Sequence, residues 1–390
     1  MKTSQFFSIY IHIPFCVKRC GYCDFNTYTG RQDLIPQYVQ AVCREIELVA
    51  KTQEHKLPVH TIYFGGGTPS LLTPGQLDSI LGTVDSKYDV TSNAEITLEA
   101  NPGTIDHGIL GEIRFVGFNR ISLGVQSMID KELEFLGRIH SKQDVIESYD
   151  LARKTGFENI SFDLLYGLPE QKMINWQTSV SNLVELKPEH LSLYSLTVEK
   201  GTRFGILADR GQLNIPDDDL AAEMLIWADD YLEDHRYLRY EISNWAKSGR
   251  ESRHNLQYWL NQPYLGFGAG AHSCFNDMRV SNVLRIKGYI QHVMQSEMES
   301  GFKISPAEVS SIKLSPYTRM QETLMLGLRL TRQGVTRQRF RQLHGAELNE
   351  VFSVEIGKLM GQGLLEWQDD SLVLTRRGRM LGNRVFQEFV

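Results

Sequence analysis

Three of the five cysteines in this sequence lie close together, in the spacing C-x3-C-x2-C. Three thiolates in such a short stretch favour a metal centre. Zinc sites and fully ligated iron–sulfur clusters usually take four protein ligands, and no fourth ligand stands near Cys16, Cys20 and Cys23. The spacing therefore favours a 4Fe-4S cluster in which one iron is left free to hold another molecule.

An apolar run, Ile9 to Ile13, directly precedes these cysteines and predicts a strand. Pro14 ends it, because proline cannot donate a hydrogen bond to a sheet. The three thiols are therefore expected on a loop at the carboxyl end of a strand.

The next predicted strands also end in polar or glycine-rich residues. The strand Thr61 to Phe64 runs into Gly65-Gly66-Gly67-Thr68, and Glu99 stands at the end of the strand Ala94 to Ala100. Three glycines let the backbone approach a ligand closely, although such a loop taken alone is usually only a turn. The Glu99 carboxylate could accept hydrogen bonds from a ribose diol, although by itself it is more simply a solvated charge.

Six strands alternate with helical segments over roughly the first 190 residues, which is typical of βαβ units and a parallel sheet. Because the polar features follow the strand ends, we expect a ligand site at that edge of the sheet. The sequence predicts an α/β fold: an incomplete (β/α)6 TIM-like barrel over residues 1–200.

Residues 201–304 are less regular and are interpreted as an extension of the barrel. They contain His254-Asn255-Leu256-Gln257-Tyr258-Trp259, followed by a glycine-rich segment at 265–274. A histidine beside aromatic residues could be an axial ligand for a flat macrocycle. From the residues alone, a packed histidine–aromatic cluster that closes the barrel is the favoured alternative.

Residues 305–390 predict three helices and a hairpin that turns at Asp369–Ser371, which is a winged-helix-like α+β domain. DNA binding would be the functional interpretation of that outline. The excess of positive charge there is small, so a packing or partner-docking module is preferred.

The bulk properties exclude several classes of protein. A net charge of −6 argues against nucleic-acid binding driven by phosphate neutralisation. There is no apolar run of about 18 residues and no secretory signal at the N-terminus. An odd number of cysteines does not suggest a disulfide framework, and free thiols beside an oxygen-sensitive cluster predict a cytoplasmic location.

The cysteine spacing, Tyr22 before the third cysteine and the Gly-Gly-Gly-Thr loop together resemble the radical S-adenosylmethionine (SAM) superfamily. The runs Glu-Ala-Asn-Pro-Gly, Ser-Leu-Gly-Val-Gln, Gly-Arg-Ile-His and Asp-Leu-Leu-Tyr-Gly-Leu-Pro are similar to those of the oxygen-independent coproporphyrinogen III oxidase group. The C-terminal domain resembles the one found in that group, so the resemblance covers almost the whole chain.

The resemblance implies that Cys16, Cys20 and Cys23 ligate three irons and that SAM chelates the fourth. It implies that Gly66, Gly67 and Thr68 meet the methionine amine, and that Glu99 holds the ribose hydroxyls. The other residues implied at the SAM site are Gln126, Arg138, Asp163, Tyr10, Tyr22 and Thr197, with Arg138 placed on the SAM carboxylate.

Two branches of this group can be distinguished by sequence features near the cysteines and in the second part of the chain. The oxidase has a fourth cysteine two residues after the third, where this sequence has Phe25, and a longer segment before the cluster than the fifteen residues found here. The branch of heme chaperones lacks that cysteine and carries the run His-Asn-x-x-Tyr-Trp. The resemblance to this branch makes His254 the expected heme ligand.

The expected function is therefore that of a heme chaperone, which carries a 4Fe-4S cluster and SAM and delivers heme to apo-hemoproteins. The alternative is radical oxidative decarboxylation of coproporphyrinogen III. The expected partners are heme, heme-accepting apoproteins and an electron donor for the cluster, but no nucleic acid. A homodimer and a peripheral membrane contact are kept as expectations, although no basic amphipathic helix argues for the latter.

Overall fold

A computed structural model describes residues 6–214, 217–297 and 304–390. Its centre is a row of six parallel strands, which are joined by helices on the outer side. The strands are β1 (Phe7–Ile13), β2 (Pro58–Gly66), β3 (Asp89–Ala100), β4 (Arg120–Gln126), β5 (Ile160–Tyr166) and β6 (His190–Ser195). The helices between them are α1 (Ile35–Lys51), α2 (Pro74–Lys87), α3 (His107–Val116), α4 (Asp130–Leu136), α5 (Lys142–Lys154) and α6 (Met173–Glu185).

Local sequence explains several of these helices. Helix α1 carries an apolar stripe, with Val39, Val42 and Ile46, that is buried in the main core. Helix α2 begins with a capping box between Thr73 and Gln76, and α5 begins with one at Ser141. Capping satisfies backbone N–H groups that a helix start leaves unpaired, so these starts are specified by the sequence.

The second part of the chain extends the sheet at both edges. It contains α7 (Arg203–Asp209), α8 (Asp218–Asp234), β7 (Leu238–Glu241), β8 (Asn244–Ala246), α9 (Arg253–Trp259), β9 (Tyr264–Phe267), β10 (His272–Phe275), β11 (Met278–Asn282), α10 (Ile286–Gln295) and β12 (Glu308–Lys313). The order of the sheet in the described residues is β12-β11-β10-β9-β1-β2-β3-β4-β5-β6-β8-β7. The sheet does not close, which confirms the prediction of an incomplete barrel.

Strand β9 is an addition that the sequence did not predict. It pairs in parallel with β1, with Tyr10 opposite Gly266. Glycine is required there, because a Cβ on Gly266 would stand 2.0 Å from the carbonyl oxygen of His272. The glycine-rich segment therefore forms a strand beside β1 followed by a tight return into β10.

A buried carboxylate on α1 ties this extension to the barrel. Glu45 is fully buried and accepts hydrogen bonds from the Gly268 N–H at 2.8 Å, Asn282 Nδ2 at 2.7 Å and Tyr289 OH at 2.6 Å. The hydroxyl of Ser305 donates to the same side chain. These four donors come from four separate places in the extension, so one side chain fixes all of them against α1.

The C-terminal part has a core of its own, formed by buried residues between Leu324 and Phe389. It consists of α11 (Pro316–Gly327), β13 (Val335–Thr336), α12 (Arg337–His344), α13 (Leu348–Val351), α14 (Ser353–Gly361), β14 (Leu365–Gln368), β15 (Ser371–Leu374), α15 (Arg376–Met380) and α16 (Gly382–Gln387). The predicted helices and hairpin are present, and β13 adds a third strand beside β15. The outline is that of a winged-helix-like domain.

Across the described ranges, no helix is both long and apolar enough to cross a membrane.

Candidate functional site

The three clustered cysteines lie on the loop that follows β1. A two-residue pairing of Phe15–Cys16 with Tyr28–Thr29 closes this loop at its base, where the Tyr28 N–H donates to the Pro14 carbonyl at 2.7 Å. The loop is also fixed from outside, because the Gly21 N–H donates to the Leu136 carbonyl at 3.0 Å. The thiols are thus presented by a loop that is anchored at both ends and in the middle.

Each of the three thiols has a polar neighbour. Thr68 Oγ1 donates to Cys16 Sγ at 3.7 Å, Arg138 Nη1 donates to Cys20 Sγ at 3.5 Å, and Thr27 Oγ1 lies 3.8 Å from Cys23 Sγ. Burial raises the pKa of the Cys16 thiol, and the hydrogen bond from Thr68 opposes that effect. Donors aimed at sulfur stabilise the thiolate, which is the form that binds a metal.

The thiols open into a cavity of about 470 Å³, here called the cysteine cavity. Parallel strands present their carboxyl ends at one edge of the sheet, and the lining comes mainly from there. Besides the three cysteines, the predicted residues that line it are Tyr22, Gly66, Gly67, Thr68, Glu99, Gln126, Arg138, Asp163 and Thr197. One cavity is therefore lined by nearly every residue that the resemblance implied for the cluster and SAM.

The glycine loop and Glu99 form one wall of this cavity. Gly66 has a φ of 111°, and its N–H donates to Glu99 Oε2 at 3.0 Å, while Tyr63 OH donates to Oε1 at 2.8 Å. A Cβ on Gly67 would lie 2.7 Å from the Phe15 carbonyl oxygen, so only glycine fits there. Burial raises the pKa of Glu99 to about 7, against the two hydrogen bonds that lower it.

Arg138 and Asp163 also line the cysteine cavity. Arg138 Nη2 donates to the Gly124 carbonyl at 2.7 Å and to the Asn101 side chain, so much of its guanidinium is already engaged. Its Nε is buried and finds no hydrogen-bond partner among the described residues. Burial raises the pKa of Asp163, and a hydrogen bond from Ser122 Oγ at 3.1 Å opposes that shift.

Gln126 adds an unusual backbone conformation at the end of β4. Its φ is 68°, in the left-handed region that residues other than glycine rarely adopt, and the pairing with β5 shifts register there. Strain of this kind is typical of ligand sites, because the surrounding structure must hold it in place.

These residues fit a 4Fe-4S cluster with SAM better than a single metal ion. Within the described ranges, no three His, Cys, Asp or Glu side chains converge on one ion position. Cluster cysteines bind three different irons and do not need to converge, whereas a zinc ion requires all its ligands around one point. The unpartnered Nε of Arg138 and the buried carboxyl groups of Glu99 and Asp163 are polar groups of the cavity lining that a polar ligand can satisfy.

Two predicted residues lie elsewhere. Tyr10 lines a neighbouring cavity instead, and its hydroxyl hydrogen-bonds His12 Nδ1 at 3.1 Å.

His254 is 1% exposed; its Nδ1 lies 2.9 Å from Thr61 Oγ1 and its Nε2 lies 3.0 Å from Tyr258 OH. Burial lowers the pKa of His254 to about 3, so the imidazole is neutral. Iron binding at either nitrogen requires one of these hydrogen bonds to break.

The rest of the His-Asn-x-x-Tyr-Trp run spreads over helix α9. Asn255 lines the cysteine cavity, and Tyr258 lines the neighbouring cavity. Trp259 lies under the Arg329 guanidinium of the C-terminal part, at 5.1 Å from the ring centre. One turn-and-a-half of helix therefore contacts both cavities and the C-terminal domain.

Several lining residues were not predicted. Three of them lie on β4 at intervals of two before Gln126: Arg120, Ser122 and Gly124. Asn101 directly follows β3, and Ser192 lies on β6. Successive side chains on a strand point to opposite faces, so the predicted residue Gln126 could have identified the others by alternation. Arg120 is the most consequential of them, because it is a buried cation whose charge lowers the pKa of both Glu99 and Asp163.

Comparisons with known proteins identify the relatives of this chain. The model of the radical SAM superfamily matches residues 10–180, and that of the HemN C-terminal domain matches residues 314–381. The heme chaperone HemW of Bacillus subtilis is 39% identical over 98% of this chain and 99% of its own length. HemW of Mycobacterium tuberculosis is 36% identical over 98% of this chain and 94% of its own length.

A mouse protein, mitochondrial radical S-adenosyl methionine domain-containing protein 1, is 35% identical over 94% of this chain and 86% of its own length. Among solved structures, coproporphyrinogen III oxidase (HemN) from Escherichia coli has a TM-score of 0.84 and 23% identity, covering 99% of this chain and 90% of that chain. That likeness establishes the shared fold.

Proposed function

Because this chain belongs to the HemW family of heme chaperones within the radical SAM superfamily, we propose that it binds heme and delivers it to apo-hemoproteins. The observation that carries this proposal is the similarity to HemW over nearly the full length of both chains.

The cysteine cavity is proposed to hold the cluster and SAM. Cys16, Cys20 and Cys23 would bind three irons, and the backbone of Gly66 and Gly67 with Thr68 would face the methionine amine. When bound, the cluster supplies an electron that can reach the sulfonium of SAM. The protein's part is to orient SAM and to keep the site enclosed.

Glu99 is proposed to exchange its present donors for the ribose hydroxyls of SAM. Its two carboxylate oxygens already accept from Tyr63 and Gly66, which supports a role in accepting two hydrogen bonds from a ligand. Arg138 is proposed to meet the SAM carboxylate through its unpartnered Nε, since Nη2 is held by Gly124.

The alternative function is oxidative decarboxylation of coproporphyrinogen III. It is considered because the chain shares its fold with HemN. The residue that argues against it is Phe25, because it occupies the position at which the oxidase group carries a fourth cysteine. Phe25 is 63% exposed at the rim of the cysteine cavity, so the substitution is not explained by packing.

One pair of assays separates the two functions. Purified protein titrated with hemin is expected to give a shifted Soret band that saturates at a fixed stoichiometry. The anaerobic, reconstituted protein with SAM and reductant is expected to leave coproporphyrinogen III unchanged. Conversion to protoporphyrinogen IX would overturn the chaperone proposal, as would the absence of any hemin-dependent band.

An electron donor for the cluster, a homodimer, a peripheral membrane contact and a cytoplasmic location remain predictions from the sequence. The free cysteines of the described structure support a reducing compartment, where thiols persist.

A further inference from the structure

A buried guanidinium forms part of the wall of the cysteine cavity. Arg120, at the start of β4, is 2% exposed and lines this cavity together with Glu99 and Asp163. Strand β4 lies between β3, which carries Glu99, and β5, which carries Asp163. Arg120 is paired with Thr97, two residues before Glu99, and it shares a face of β4 with Ser122, which donates to Asp163 at 3.1 Å. One cation therefore stands on the strand next to each of the two carboxyl groups.

Arg120 has no direct partner among the described residues. It forms no ion pair there, and its buried Nε has no hydrogen-bond partner. Glu99 and Asp163 accept their side-chain hydrogen bonds from other groups. Because a buried charge is costly unless an opposite charge compensates it, Arg120 requires negative charge within electrostatic reach.

Only two of the titratable groups around Arg120 can supply that charge. The side chains that interact electrostatically with it are Tyr63, Glu99, Asp163, His190, Tyr240 and His254. Burial raises the pKa of both tyrosines well above their ordinary value and lowers the pKa of both histidines, so these four groups are neutral at pH 7. Of the six, Glu99 and Asp163 alone can carry a negative charge beside Arg120.

The two carboxyl groups in turn depend on the cation. Burial raises the pKa of both, and the charge of Asp163 raises the pKa of Glu99 further, whereas Arg120 lowers both values. The other titratable groups that act on them are Tyr10, Tyr63, Tyr194 and Arg138. Burial raises the pKa of the three tyrosines, which are therefore neutral, and Arg138 lowers the pKa of Asp163. Two carboxylates in one site resist ionising together, and Arg120 is the cation that acts on both.

We propose that Arg120 is a positioning residue of the SAM site: its buried cation keeps Glu99 and Asp163 ionised together, so that both can accept hydrogen bonds from SAM. The proposal rests on the proposed function in taking SAM as the ligand of the cysteine cavity. An ionised carboxylate accepts through both oxygens, whereas a protonated one donates through one of them. Arg120 acts here through the two carboxyl groups and not through a contact with SAM.

The test measures SAM binding to the full-length, anaerobically reconstituted protein by equilibrium dialysis at several pH values from 6 to 8.5. The affinity of the unmodified chain is expected to rise with pH and to level off near pH 7, because below that pH SAM must displace a proton from Glu99. Arg120→Met is expected to move this levelling-off upward by about one pH unit or more, which is an affinity loss of about tenfold at pH 6. Arg120→Lys keeps the cation and should keep the profile of the unmodified chain.

A control and a second pair of variants complete the test. The control is Arg153→Met, on α5 and outside the cysteine cavity, where Arg153 is paired with Glu189; it should bind SAM like the unmodified chain. Asp163→Asn, with and without Arg120→Met, serves if Arg120→Met alone fails to fold, since the double variant removes one charge of each sign. Adding Arg120→Met should move the profile of Asp163→Asn to higher pH.

Three results would overturn the proposal. They are an Arg120→Met profile that levels off at the same pH as the unmodified chain, an Arg120→Lys profile shifted as far as that of Arg120→Met, and a double variant with the same profile as Asp163→Asn. In each case the unmodified chain still binds SAM, so the proposed function survives. If the unmodified chain binds no SAM at any pH, the SAM site of the proposed function fails together with this proposal.

Discussion

The carboxyl group of Glu99 makes stability depend on pH in a way that one substitution can isolate. Its pKa is raised from an ordinary value of 4.5 to about 7 by burial in the wall of the cysteine cavity. The folded chain therefore holds this proton over a pH range in which the unfolded chain has released it. Stability falls as pH rises through that range, because the proton must be retained at increasing cost.

The size of the effect follows from the two pKa values. Each pH unit between 4.5 and 7 costs the folded state about 1.4 kcal/mol, so the full cost above pH 7 is about 3 kcal/mol. Glu99→Gln removes the titration. The amide oxygen can still accept from Tyr63 or Gly66, but the amide nitrogen cannot accept from the other, which adds a penalty of about 1–2 kcal/mol at every pH.

The assay is urea denaturation of the cluster-free and SAM-free protein at several pH values from 5 to 8. The difference in unfolding free energy between Glu99→Gln and the unmodified chain should move in favour of the variant by about 2–3 kcal/mol across this range. Buried carboxyl groups remote from Glu99 titrate equally in both proteins and cancel in the difference, whereas Asp163, whose charge acts on Glu99, also contributes to it. Glu112→Gln, at an exposed position on α3, is the matched control and should show no trend. A difference that stays constant within about 0.5 kcal/mol would refute the reasoning.

Two further substitutions test other parts of the structure. Cys20→Ala is expected to abolish the incorporation of about four irons per chain in anaerobic reconstitution, because three cysteines are the minimum for an open-iron cluster. The control is Cys43→Ala, on α1 and outside the cysteine cavity, which should incorporate iron normally. A stoichiometric zinc ion in the unmodified protein would contradict the cluster. Glu45→Ala should destabilise the chain by at least about 3 kcal/mol in urea denaturation, since it leaves several buried donors unpaired. Glu45→Gln should cost less because it keeps an acceptor, and equal losses for the two variants would exclude the hydrogen bonds as the cause.

The features that the sequence predicted well are local ones. The cysteine spacing, the glycine loop and the strand preceding each of them are encoded within a few residues, and the carboxyl ends of parallel strands necessarily meet at one edge. That rule brought Glu99 and Asp163 to the same cavity as the cysteines, although they lie far apart in the chain.

The features that the sequence did not reveal depend on long-range pairing. Strand β9 pairs with β1 from more than 250 residues away, and its Tyr264 lines the neighbouring cavity together with Tyr10. The hydrophobic pattern of the sequence near Tyr10 and Gly266 does not indicate that these two strands pair. Likewise, the surroundings of His254 depend on Thr61 of β2 and on the start of α9, so the motif alone could not show that both of its ring nitrogens are engaged.

The cysteine cavity and the neighbouring cavity beside Tyr10 share a wall, and this has a thermodynamic consequence. Arg19, Asp24, Phe25 and Thr27 of the cysteine loop line both cavities, so they contact whatever occupies either one. If filling the cysteine cavity orders this loop in the position that the neighbouring cavity requires, each occupant tightens the binding of the other. Linkage makes the two effects equal: a tenfold gain in affinity at one cavity when the other is filled implies a tenfold gain in the reverse direction. A ligand of either cavity would therefore leave more readily once the other cavity is emptied.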